Sequence, residues 1–154
     1  MSALSTFWEL LPRISHFRYE SLPGPASMTG WKGSASGVIE VTCDPALQWI
    51  HFAESCQFEL ELTGQHFALK NQFRWVWQEH DSIRLEQWRR GHAVPLLDLV
   101  ERSPAILVER EAHLCGADDY RLQVRLRGDG FDADWSIRGP KKDEHLAYRY
   151  RCDR

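Results

Sequence analysis

The sequence predicts an all-β protein: about ten antiparallel strands wound into an up-and-down β-barrel, with a short helix at the N-terminus. Three observations point there. Apolar residues recur with a period of two rather than 3.6 along most of the chain, and turn formers break that pattern about every ten residues. Aromatic residues, which suit strands and ligand cavities, make up 12% of the composition.

In chain order, "ALSTFWELLPRI" reads as the helix. Ser5 or Thr6 caps it, Phe7, Leu10 and Leu11 share one face, and Pro12 ends it, so that residues 1–12 cover one mouth of the barrel. "SHFRYESL" is the first strand and "LPGPAS" a loop. "WKGSASGVIEVTC", "LQWIHFAESCQFELEL", "HFALKNQFRWVWQ", "SIRLEQWRR" and "AVPLLDLV" follow, each broken by a turn short enough for a hairpin. "ILVEREAHLC", "YRLQVRLR", "FDADWSIR" and "HLAYRYRC" complete the ten. Gly128 to Gly130, "GDG", is the sharpest hairpin signal, because glycine takes positive φ without steric cost. A meander of this length curls round and pairs its last strand with its first, which removes the exposed edges. Gly30, Gly33 and Gly37 fit no phosphate-loop pattern and read as sites of close backbone approach.

At 154 residues the chain forms one domain, 1–154. A net charge of −3 without a long basic run argues against nucleic-acid binding. No window approaches the ~20 apolar residues of a membrane span, and the N-terminus lacks the features of a secretory signal, so the expected location is the cytoplasm. Cys43, Cys56, Cys115 and Cys152 show no C-x-x-C spacing and read as buried or half-buried thiols. His16, His51, His66, His80, His92 and His145 show no metal-binding spacing, and His66, His80 and His92 fall at solvated turns.

The segments "QFRWVW", "GHAVPLLDL", "HLCGADDY" and "WSIRGPKKD", with "YRYR" near the end, resemble an uncharacterised, mainly bacterial family of single-domain proteins of unknown function. The architecture of that family is similar to the lipocalin and fatty-acid-binding barrels, the calycins. The resemblance implies a fold and carries no activity with it.

The candidate ligand-binding residues are Arg74, Trp77, Asp98, His113, Tyr120, Trp135 and Lys141. Arg74 and Val76 share one face of their strand, and Phe73, Trp75 and Trp77 the other. Arg74 either forks onto a ligand carboxylate or pairs with Glu54 or Glu86 on a sheet face. Asp98, if inward, must find Arg74, His113 or another donor. His113 and Cys115 point the same way, but same-strand neighbours two apart are ~6.5–7 Å from one another at Cα, a poor geometry for a nucleophile and its base. Lys141, in the turn "GPKKD", either meets an anion at the barrel mouth or is a solvated turn charge.

These residues lead to a binder of a small hydrophobic or anionic molecule inside the barrel, with no metal and no cofactor. Haem ligated by His113 is the cofactor alternative. A barrel-cavity isomerase, cyclase or hydrolase using His113 with Asp98 or Tyr120 is the enzyme alternative, and a filled barrel serving as an interaction module is the third.

Overall fold

The computed structural model describes residues 1–79 and 81–153, so His80 lies outside the described residues. Helix α1 (Ala3–Leu10) and a 3₁₀ turn (Leu11–Arg13) lead into β1 (Ile14–Pro23), β2 (Gly33–Asp44), β3 (Trp49–Leu60), β4 (His66–Gln78), β5 (Ser82–Arg89) and β6 (His92–Ser103). Then come β7 (Ile106–Glu109), β8 (His113–Cys115), β9 (Asp118–Arg127), β10 (Gly130–Arg138) and β11 (Asp143–Cys152). Strands β1 to β7 pair in sequence order, β7 pairs with β9, and β9, β10 and β11 continue the ring until β11 meets β1. The result is a closed antiparallel barrel of ten strands, with β8 added to β9 beyond the end of β7.

The expected strand at 106–115 is therefore two. Where the chain leaves the ladder, the Glu109 carboxylate accepts the Leu122 N–H at 3.2 Å in place of a strand neighbour. The Arg110 N–H donates to the Asp98 carbonyl at 2.7 Å, and pairing resumes with His113 opposite Tyr120.

Helix α1 begins at Ala3, within the expected residues 1–12, but is capped by a different residue. Ser2, not Ser5 or Thr6, is its cap, its hydroxyl accepting the Ser5 N–H at 3.1 Å. The apolar face holds as read: Phe7 and Leu11 are completely buried, and Pro12 converts the last turn to 3₁₀. Phe7 meets Trp75 and Phe131 edge-on at 5.2 and 4.9 Å, and Trp8 meets Trp77 at 5.5 Å, so the helix stoppers one end of the lumen. The Ala3 N–H, one of the donors that a helix start leaves free, goes to the Glu101 carboxylate.

Closure rests on β11, with Tyr150 opposite Phe17 on β1 and Phe131 on β10, and Tyr148 opposite Tyr19 and Ala133. Both tyrosines point inward and stack 5.6 Å apart at 7°. Outside, Asp132 takes hydrogen bonds from Arg127 and Arg151, each at 2.9 Å, and so staples β9, β10 and β11 together. Gly33 and Gly37 do allow close approach: a Cβ on Gly37 would stand 2.4 Å from the Ser55 carbonyl oxygen. Gly30 does not, since it sits in the β1–β2 connection at positive φ with open space around it.

Truncation after Gly139 deletes β11 and leaves β1 and β10 as unpaired edges. The shortened chain is expected to aggregate or to lose cooperative melting by circular dichroism. A soluble product with a sharp thermal transition would show that closure is dispensable.

Candidate functional site

The stoppered end is packed solid; the other end is not. There, inward residues of β4, β5, β6, β8, β9, β10 and β11 surround a cleft of about 280 Å³. Phe73, Leu96, Trp135, Ile137 and Leu146 give it apolar walls, and Asn71, Gln87, Arg89, His113 and Tyr120 bring polar groups to it. A mostly apolar concavity with a few placed polar groups is the usual form of a small-ligand site. Grooves of about 380 and 510 Å³ also occur, but charged side chains such as Lys32, Glu59 and Glu61 in one, and Asp98, Arg110 and Glu111 in the other, make up much of their walls.

The loops around the cleft are tied down. The Ser27 and Thr29 hydroxyls both donate to the Glu144 carboxylate, Thr29 at 2.9 Å, which fastens the β1–β2 connection to β11. Trp31 from the same connection stacks on Phe58 at 4.9 Å. Lys142 pairs with Asp118 at 3.1 Å and links the β10–β11 turn to the start of β9.

Of the sequence-derived set, His113, Tyr120 and Trp135 come together in this cleft, with the His113 and Tyr120 rings edge-on at 5.8 Å. The other four do not line it. Arg74 is on the outer face, because β4 alternates Asn71, Phe73, Trp75 and Trp77 inward. Its guanidinium is sandwiched between Trp49 and Trp88, 3.9 and 4.1 Å from the ring centroids, and its Nε donates to Nδ1 of His51 at 3.2 Å. Burial, with Arg74 alongside, holds His51 below its usual range, consistent with a neutral ring accepting that bond. Glu86 is the cross-strand neighbour of Arg74, whereas Glu54 faces the interior.

Asp98 is also on the outer face, held by Arg84 at 3.0 Å; it shares the charged outer groove with His113 but does not reach the interior cleft where His113 meets Tyr120. Trp77 faces inward but at the stoppered end against Trp8. Lys141 is exposed on the turn, where its carbonyl accepts the Met28 N–H at 3.1 Å. His113 lies at the open rim rather than beneath an enclosed apolar pocket, which does not suit haem ligation. Cys115 is exposed at the same rim and Cys43 is exposed elsewhere, so only Cys56 and Cys152 match the expectation of covered thiols. Among the described residues no group of His, Cys, Asp or Glu is placed to hold a metal ion.

Glu54, absent from that set as a ligand residue, is the most unusual group inside the barrel. It is 3% exposed, and its Oε2 accepts the Tyr150 hydroxyl at 2.6 Å. Its Oε1 is buried and has no hydrogen-bond partner among the described residues. Burial pushes the carboxyl up to about 8, with Tyr150 offsetting only part of the rise, so the group is mostly neutral at pH 7. The sequence does hold a signal for it: Ile50, Phe52, Glu54, Cys56 and Phe58 alternate on one strand face, where a single carboxylate interrupts an apolar row.

The fold and this cleft define a class of protein: a β-barrel stoppered by a helix at one end and open at the other. Residues 4–152 match the model of a family described as "Family of unknown function (DUF6314)", and the chain belongs to that family. No curated protein and no solved structure matches it significantly. Among the described residues no helix is long and apolar enough to cross a membrane.

A carboxyl whose folded-state pKa is raised binds its proton in the native barrel but not in the unfolded chain between pH 4.5 and about 8. Its contribution to stability is therefore full below that window and is lost as pH rises through it, by up to roughly 1.4 kcal/mol per pH unit. Glu54→Gln removes the titration at nearly constant volume. Relative to the variant, the wild type is expected to lose roughly 2–3 kcal/mol of unfolding free energy between pH 5.5 and 7.5 in urea titrations. A difference that does not change with pH would mean that Glu54 is ionised in the folded state.

Proposed function

We propose that this protein binds one small, partly apolar anion in the open end of its barrel. The observation that carries the reading is the cleft itself: aromatic and aliphatic walls in a lumen whose other spaces are no larger than about 10 Å³, with an exposed arginine, Arg89, at its margin. Arg89 occupies the role that the sequence suggested for Arg74, since its planar fork is suited to a carboxylate or sulfonate. His113, Tyr120 and Trp135 contribute a polar rim and a flat wall. Trp135 supplies apolar area, and His113 and Tyr120 orient the ligand by hydrogen bonding. Lipocalin-type barrels hold single small ligands in the same way, and the calycin-like reading rests on that likeness of architecture. Four free thiols suit a reducing compartment, and we place the binder in the cytoplasm.

The probe for this reading is 1-anilinonaphthalene-8-sulfonate, an aromatic anion whose fluorescence rises in apolar surroundings. It is expected to bind at a single site. Arg89→Gln should weaken it about tenfold through the lost charge-assisted contact. Val94→Trp, which fills the mouth, should abolish binding, and Arg74→Ala on the outer face should leave it unchanged. Binding that is indifferent to both Arg89→Gln and Val94→Trp would contradict the assignment.

A further inference from the structure

Below the open cleft lies a second, much smaller space of about 10 Å³, bounded by Phe17, Tyr19, Glu54, Cys56, Leu69, Asn71 and Tyr148. That is room for roughly one water-sized group. It shares two walls with the cleft above, Asn71 and Tyr148, so the two spaces adjoin across those side chains, with Glu54 on the inner side. Asn71 is directly opposite Glu54 on the neighbouring strand.

The unpartnered atom there is Oε1 of Glu54. Every other feature of this carboxyl is built in: the Tyr150 hydroxyl donates to Oε2, and Tyr19, Tyr148 and Cys56 close around it. Those facing groups, Tyr19 and Tyr148 on β1 and β11 and Cys56 on its own strand, are themselves pushed above their usual ranges by burial and stay neutral. No cation reaches the carboxyl among the contacts of the described residues. With Oε2 occupied as an acceptor, a neutral Glu54 carries its proton on Oε1 and has a hydrogen bond to give. A buried donor left without an acceptor is costly, and the small space that Glu54 lines is where an acceptor fits.

We propose that Glu54 is the specificity-determining residue of the cleft: Oε1 donates a hydrogen bond to a neutral acceptor, a carbonyl oxygen, on the inner end of the bound anion. This rests on the reading of the cleft as an anion-binding site and adds the class of ligand. Glu54 lies on β3 and Arg89 on β5, with β4 between them, so their backbones are separated by two strand spacings, about 10 Å. The ligand is then a medium-length carboxylate with a ketone or aldehyde carbonyl near its far end: the carboxylate at Arg89, the apolar chain along Phe73 and Trp135, the carbonyl at Glu54.

The matched probes are 7-oxooctanoate and octanoate, which differ only in that carbonyl, used to displace 1-anilinonaphthalene-8-sulfonate at pH 6.5. In the wild type the oxo acid is expected to compete about tenfold better. Glu54→Gln, whose amide can also donate, should keep most of that preference, and Glu54→Leu should erase it while octanoate competes as well as before. At pH 9 the wild-type preference should vanish, because ionised Glu54 has no proton to give, whereas the Glu54→Gln preference should persist. Equal displacement by the two acids in the wild type, or displacement by neither, overturns the assignment of Glu54. Failure of the fluorescent anion itself to respond to Arg89→Gln and Val94→Trp overturns instead the anion-binding reading beneath it.

Discussion

A hydrogen bond across the lumen, from the hydroxyl of Tyr150 to the carboxyl of Glu54, ties the strand that closes the barrel to a strand three places away. Tyr150 is at the junction of everything inside. Its ring stacks on Phe131 at 4.6 Å, leans on Phe17 and Phe52, and lies parallel to Tyr148. Phe131 in turn receives Phe7 from the helix. The stoppered end, the ring closure and the buried acid thus share one side chain. Loss of the last strand removes not only a row of backbone hydrogen bonds but the centre of the aromatic core.

The lumen has two characters because its contents differ along the axis. Near the helix, phenylalanine, tryptophan and leucine side chains fill the space, with Phe7, Phe52, Phe131 and Leu99 all below 2% exposure. Toward the far end the inward positions become Asn71, Gln87 and Tyr120, which cannot pack as tightly and which leave the cleft. Glu54 stands at the boundary. Placing a carboxyl there costs stability, since an apolar residue of similar volume would carry neither the desolvation penalty nor an unmet hydrogen bond. That cost has a physical rationale if the acid meets a ligand.

Much of the fold is legible in the sequence because strand alternation and turn chemistry are local. The ring closure follows from the number of strands, and "GDG" places its hairpin where a two-residue turn connects Arg127 to Gly130. What is not legible is the sense of each alternation. The pattern of β4 separates Arg74 from Phe73 and Trp75, but only packing reveals that the tryptophan side is the inner one. Asp98 is harder still, because a bulge between Leu85 and Glu86 shifts the register of β5 against β6. Arg89 reaches the cleft from the last residue of its strand, where alternation carries little signal. Glu54 could have been found by applying the strand parity of Phe52 and Phe58 to the residue between them. Its partner Tyr150 could not, because that contact joins residues 96 positions apart.

The protonation of Glu54 carries the account, and carbon-13 NMR of its side-chain carboxyl, assigned by the signal missing from Glu54→Gln, reads it directly. A titration midpoint near pH 8 is the result expected for a neutral acid bonded to Tyr150 and donating into the cleft. A midpoint near 4.5, the ordinary value, would place an ionised carboxylate in the barrel and contradict both the proton on Oε1 and the ligand chemistry built on it.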